Sequence, residues 1–133
     1  MKKKILFYVI SVISIAGIIA LLMYFKSVND YKHKVAILEI HEIDLSTIPD
    51  GTYVGDCNVD FIYAKVEVTV KNRVIAEINL IQHKNGKGKS AEKILDNIVK
   101  EQSVNVDTVS GATNSSKVIM KAVENALTIR SER

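Results

Sequence analysis

The sequence predicts an α+β fold: antiparallel strands packed with two amphipathic helices, preceded by one N-terminal transmembrane helix. Three observations predict it. Residues 5–25 are apolar and uncharged, unlike anything after them. Two runs of alternating residues flank a short polar connection, as in a β-hairpin. Two later segments carry apolar residues at helical spacing.

Residues 5–25 form a helix long enough, at about 1.5 Å per residue, to cross a hydrocarbon core of about 30 Å. Tyr8 and Tyr24 lie near its ends, where amphipathic rings suit the membrane interface. A cleaved signal peptide is the competing reading. Against it, the run exceeds the usual apolar region of about 7–15 residues, and no small-x-small site follows. An uncleaved anchor is therefore expected over residues 1–25. Lys2, Lys3 and Lys4 favour an inside N-terminus, which puts the following domain outside the cytoplasm. These lysines also carry the whole formal charge of +3. From Lys26 onward, 15 basic side chains face 15 acidic ones, which leaves no basic footprint for nucleic acid.

Residues 26–47 read as a juxtamembrane spacer, polar at first (KSVNDYKHK) and then apolar (VAILEIHEIDL) with neither period. Strand and helix stay open there. Pro49-Asp50-Gly51 signals a turn, and the domain proper is expected over residues 48–133. A weak strand follows over residues 52–56. Ala64, Val66, Val68 and Val70 then alternate with polar partners, and Lys71-Asn72-Arg73 connects to a second strand over residues 74–82. Its expected inner face is Val74, Ala76, Ile78 and Leu80. A glycine–lysine loop (HKNGKGK) leads to a helix with Ser90 as N-cap and Ala91, Ile94, Leu95, Ile98 and Val99 as its stripe. The last helix is expected over residues 115–127 and buries Val118, Ile119, Ala122, Val123, Ala126 and Leu127.

Several chemistries are excluded. Gly88-Lys89-Ser90 lacks the first glycine of a P-loop, since His83 stands there. His33, His41 and His83 have no partners at metal-ligand spacing. His83 ends a strand beside the glycine loop, where surface exposure is the commoner outcome and a binding role is open. Cys57 is alone and reads as a buried small hydrophobe. No GxSxG elbow is present. Asn114-Ser115-Ser116 fits a glycosylation sequon, but its place at a helix start favours capping.

What remains is Asp107-Thr108-Val109-Ser110-Gly111-Ala112-Thr113, directly before the last helix. Ser110 and Thr113 offer hydroxyls, and Gly111 and Ala112 allow close approach. The free N–H groups of a helix start favour an anion there by about 0.3–1 kcal/mol. An ordinary loop and cap would use the same residues.

Taken in order, the segments Asp50-Gly51-Thr52-Tyr53, Val66-Glu67-Val68-Thr69-Val70, Val106-Asp107 and Ser110-Gly111-Ala112-Thr113 resemble the FMN-binding domain family. That family includes the covalent-FMN domains of the sodium-pumping NADH:quinone oxidoreductase C subunit and the Rnf complex G subunit. The likeness runs from about Ile48 to Leu127. It implies FMN on Thr113 through a phosphodiester, with Asp107, Ser110, Gly111 and Ala112 in the motif read by a separate flavin transferase that uses FAD. For Asp107, a capping role stands beside the recognition role. Arg73 departs from the glycine common at this hairpin turn. The resemblance also implies an electron carrier between a membrane donor and an extracytoplasmic acceptor, rather than a complete enzyme. The other class of reading is a flavin-free anchored module that binds a protein partner.

Overall fold

A computed structural model describes residues 1–86 and 88–128; Lys87 of the glycine loop and residues 129–133 of the expected domain lie outside the described residues. The chain divides into two compact units, meeting between His33 and Lys34.

The first unit is helical. It forms most of α1, which runs over Lys2–Ala36. This helix is long and apolar enough to cross a membrane, a test of length and composition that a signal sequence also passes.

The second unit is the α+β domain. Strands β1 (Gly51–Asn58), β2 (Tyr63–Lys71) and β3 (Val74–Lys84) form one antiparallel sheet in the order β1-β2-β3. A 3-10 turn over Lys89–Lys93 leads into α2 (Ile94–Glu101), and α3 (Thr113–Thr128) closes the fold. The weak first strand is thus a full partner of β2, from Gly51 opposite Val70 to Asn58 opposite Tyr63.

The hairpin has a two-residue turn. Lys71 pairs with Val74, and Asn72 and Arg73 both take positive φ, 53° and 63°. That is the requirement of a type I′ turn, which Asn meets readily and Arg at a steric cost.

β3 departs from strict alternation. Its register shifts twice: Thr69 faces Glu77 while Val70 faces Ile75, and Lys65 faces Gln82 while Val66 faces Leu80. Ala76 and Ile81 are the extra residues of two bulges. The expected inner face is corrected: the two-residue turn sets Ile75 opposite buried Val70, and the Ala76 bulge brings Ile78 and Leu80 opposite Val68 and Val66. Ile75 is buried, Val74 and Ala76 are exposed, and Ile78 and Leu80 are half-buried.

The core lies between the sheet and α3. Ala64, Val66, Val68 and Val70 of β2 are fully buried, as are Val118, Ile119, Ala122 and Val123 of α3. Each valine or isoleucine so buried contributes about 1.5–3 kcal/mol. Gly55 lets β1 approach α3 closely: a Cβ there would run into the carbonyl oxygen of Ala122 and the backbone of Ala126.

Residues 34–48 pack within this unit rather than extending away from it. Val35 is buried, and Leu38, Ile40, Ile43, Leu45 and Ile48 are half-buried. The segment is tied to α3 by its backbone. Lys117 Nζ donates to the carbonyls of Val35 and Ala36 at 3.3 and 3.4 Å, and Lys121 Nζ to that of Glu39 at 3.0 Å. Beside them, Glu124 is buried. Its carboxylate accepts from Lys121 Nζ at 2.8 Å and from the His41 N–H at 3.2 Å, with His41 Nδ1 also 3.2 Å away. Burial pushes the Glu124 carboxyl up, but the bonds from Lys121 and His41 outweigh it and hold the group below its ordinary value.

Candidate functional site

The site is built where the loop after α2 meets α3. The loop is first fixed at its start. Gln102 takes φ 52°, the left-handed conformation that ends α2. Its side chain accepts from the Ile75 N–H at 2.7 Å and donates to the carbonyls of Ile75 at 2.9 Å and Val99 at 2.6 Å. A second tie comes from the 34–48 segment. Glu42 accepts from Ser103 Oγ at 2.6 Å and from the Val104 N–H at 3.4 Å. Val104 and Val106 are buried, which pins the loop from below.

Asp107 and Thr108 then emerge exposed, followed by exposed Ser110 and Gly111. The Ala112 N–H donates to Val109 carbonyl at 3.0 Å, closing a four-residue turn with Gly111 third at φ 78°. Position three of a type II turn needs positive φ, which glycine supplies without strain. Nothing lies within 4 Å of the place a Gly111 Cβ would take, so the turn faces open space.

Thr113 begins α3, two residues earlier than the sequence predicts, and it is exposed. The first intrahelical bond runs from the Ser116 N–H to Ala112 carbonyl at 2.9 Å. Ala112 at the cap offers no side-chain acceptor. The first turn carries no acidic residue, so nothing there repels an anion. Ser116 is fully buried, and its Oγ accepts from the Val109 N–H at 3.0 Å, holding the turn against the helix. The capping role expected of Asn114-Ser115-Ser116 is corrected: α3 begins at Thr113, so these residues lie inside its first turn and Ala112 stands at the cap. The five motif residues are thus brought together. Asp107, Ser110, Gly111 and Thr113 face solvent, and Ala112 is buried beneath them.

The glycine loop packs against the buried side of the first turn of α3. A Cβ on Gly88 would overlap Ser115 Oγ and lie 2.7 Å from Ser115 Cβ. The Gly88 carbonyl accepts from the Ala91 N–H at 2.9 Å and starts the Lys89–Lys93 turn. Ser90 lies inside this turn and caps nothing; Gly88 occupies the capping position.

His83 is the residue sequence reasoning placed least well. It pairs with Ala64, on the buried face of β2, and its side chain is only 2% exposed. The surface position is corrected by the Ile81 bulge, which turns His83 inward. Its Nδ1 lies 3.0 Å from the Glu92 carboxylate, with the Asn85 amide at 3.3 Å. Among the described residues, His83 Nε2 is a buried side-chain atom without a hydrogen-bond partner. Such an atom costs on the order of 1–3 kcal/mol until a partner arrives. Cys57 stands in the same cross-strand row, opposite Ala64, and is buried as expected; burial raises its thiol and keeps it protonated.

The comparison with known families decides the class. A family model described as an FMN-binding domain matches residues 62–128, from the start of β2 to the end of α3. The chain belongs to the FMN-binding domain family. No curated protein matches it significantly. The matched residues hold the hairpin, the glycine loop, His83, Glu92 and the whole Asp107–Thr113 motif. β1 and the 34–48 segment lie outside the match yet complete the fold, β1 as a sheet strand and the segment as a strap over α3. The residues present fit the flavin phosphate: an exposed threonine at a helix start and a small open turn before it.

Proposed function

We propose that this chain is an electron-carrying flavoprotein with FMN attached covalently to Thr113. The observation that carries the reading is the position of Thr113 in a chain of the FMN-binding domain family. Its hydroxyl is exposed at the first residue of a 16-residue helix, directly after an open Gly111 turn. Attachment forms a bond from Thr113 Oγ1 to the flavin-side phosphorus of FAD. The pyrophosphate bond breaks, AMP leaves, and the hydroxyl proton passes to a base. Among the described residues no hydrogen bond ties a base to Thr113, and a separate flavin transferase supplies the activation. Asp107 and Ser110, both exposed, are available for that enzyme to read.

Once formed, the phosphodiester keeps one negative charge. The α3 N-terminus stabilises it, and the first turn carries no acidic residue. The flavin supplies the redox chemistry, and the chain holds it. α1 anchors the carrier in the bilayer with the domain on the extracytoplasmic side. Covalent attachment suits that side, where a dissociating cofactor would be lost by dilution. The partners are a membrane electron donor and an extracytoplasmic acceptor.

The test is denaturing electrophoresis of the full chain co-produced with an active flavin transferase. The expected result is a fluorescent band for the wild type and none for Thr113→Ala. A wild-type band without fluorescence, beside a labelled control substrate, refutes covalent attachment and returns the chain to noncovalent binding or a flavin-free module.

A further inference from the structure

We propose that His41 and Glu42 form a clip across the base of the loop that leads to Thr113, and that Glu42 is a positioning residue. By holding the loop, it presents Asp107, Ser110 and Thr113 together to the flavin transferase. The role in loading rests on the attachment proposed at Thr113; the clip itself does not.

The clip spans two arms that meet at Thr113. One arm is the loop from Ser103 to Ala112, and the other is α3, which Thr113 begins. Two adjacent residues of the 34–48 segment bind one arm each. The His41 N–H donates to the Glu124 carboxylate of α3 at 3.2 Å. The Glu42 carboxylate accepts from Ser103 Oγ at 2.6 Å and from the Val104 N–H at 3.4 Å, at the start of the loop. Residues 103–124 are thus closed into a ring by non-covalent ties, and the whole Asp107–Thr113 motif lies inside it.

The strap that carries the clip is itself held. Val35 is buried, Lys117 and Lys121 bind the carbonyls of Val35, Ala36 and Glu39, and Lys121 also binds Glu124 at 2.8 Å. Glu42 therefore ties the loop to a fixed frame. From that tie, the constraints run on towards the motif. Val104 and Val106 are buried, the Val109 N–H donates to Ser116 Oγ, and the Ala112 N–H donates to the Val109 carbonyl. Asp107, Thr108 and Ser110 are exposed between these points, so their placement follows from the backbone on either side. Glu42 is exposed as well and belongs to no apolar core, so its contribution lies in the tie rather than in packing. A motif read at several residues at once binds its reader more tightly when those residues are already held together, because less freedom is lost on binding.

The experiment measures transferase kinetics on the full chain in detergent, below the melting temperature of every variant and with FAD saturating. Glu42→Ala should raise KM for the chain about three- to tenfold, the worth of one net hydrogen bond, with kcat unchanged. Glu42→Gln, which keeps an acceptor oxygen for Ser103, should restore most of the wild-type value. Ser103→Ala opens the same tie from the loop side, and the double variant should be no worse than Glu42→Ala alone. An unchanged or lowered KM in Glu42→Ala overturns the positioning role. Amide hydrogen exchange of the unloaded protein reads the clip without the flavin. In Glu42→Ala, the Val104, Val109 and Ala112 amides should exchange about three- to tenfold faster, while those of β2 keep their wild-type rates. A uniform rise across the domain, or no change at Val109 and Ala112, overturns the clip. If an active transferase leaves the wild type unloaded, the attachment at Thr113 falls and the role in loading with it, and exchange alone decides the clip.

Discussion

Gly88→Ala tests whether the glycine loop is seated against the helix that begins at Thr113. Gly88 has φ −96° and ψ 14°, a conformation open to alanine. On backbone grounds alone, the substitution should stabilise the fold by about 0.4–1 kcal/mol through the unfolded chain. The structure predicts the opposite sign. The new Cβ would overlap Ser115 Oγ and stand 2.7 Å from Ser115 Cβ. The hydroxyl can rotate away, but the Cβ is fixed by the α3 backbone, and Ser115 is buried. Overpacking of this kind costs about 1–3 kcal/mol, so the net effect is a loss of about 1–2 kcal/mol. The assay is chemical denaturation of the solubilised full chain, followed by tyrosine circular dichroism. A double-mutant cycle with Ser115→Gly isolates the contact, because removing that Cβ should recover most of the loss despite its own helix penalty of about 1 kcal/mol. A Gly88→Ala variant as stable as the wild type, or more so, refutes the seating of the loop.

The remaining predictions follow from single contacts. Arg73→Gly relieves a left-handed arginine worth about 1–2 kcal/mol and loses about 0.4–1 kcal/mol to chain entropy, for a net gain of about 0.5–1 kcal/mol by chemical denaturation. Gln102→Ala strands the buried Ile75 N–H and two carbonyls, and should cost about 2–3 kcal/mol by denaturation. Glu124→Gln should be destabilising at neutral pH. The depressed Glu124 carboxyl stabilises the fold above its unfolded value of about 4.3, and that contribution is lost as the pH falls through the lower folded value. The gap between wild type and variant should therefore close in acid; a gap independent of pH contradicts the assignment. Ser110→Ala, at an exposed turn position, should slow flavin loading without changing the melting temperature.

The hairpin was legible because β2 alternates over eight residues and Asn72 marks its turn. β3 was less so. Alternation carries no sign of a bulge or of the turn length: the two-residue turn put Ile75 on the inner face, and the Ile81 bulge put His83 there. That is why the buried imidazole escaped a reading by periodicity, although its place beside a glycine loop was visible. Ser90 looked like a cap because its type suits one, but the close contact at Gly88 starts the turn two residues earlier. The segment 34–48 showed no period because several of its ties to α3 run through main-chain carbonyls, which any residue can provide. The motif was legible as a loop before a helix up to Ala112, while α3 begins inside it, at Thr113. Its turn follows from glycine at 111, and its exposure from the two buried valines, 104 and 106, that precede it.

The most direct measurement is the intact mass of the membrane-extracted protein, made in a host with an active flavin transferase and followed by peptide mapping. The account predicts one FMN-sized adduct, on the peptide that contains Thr113. An adduct on another residue, or an unmodified mass beside a modified control protein, contradicts it.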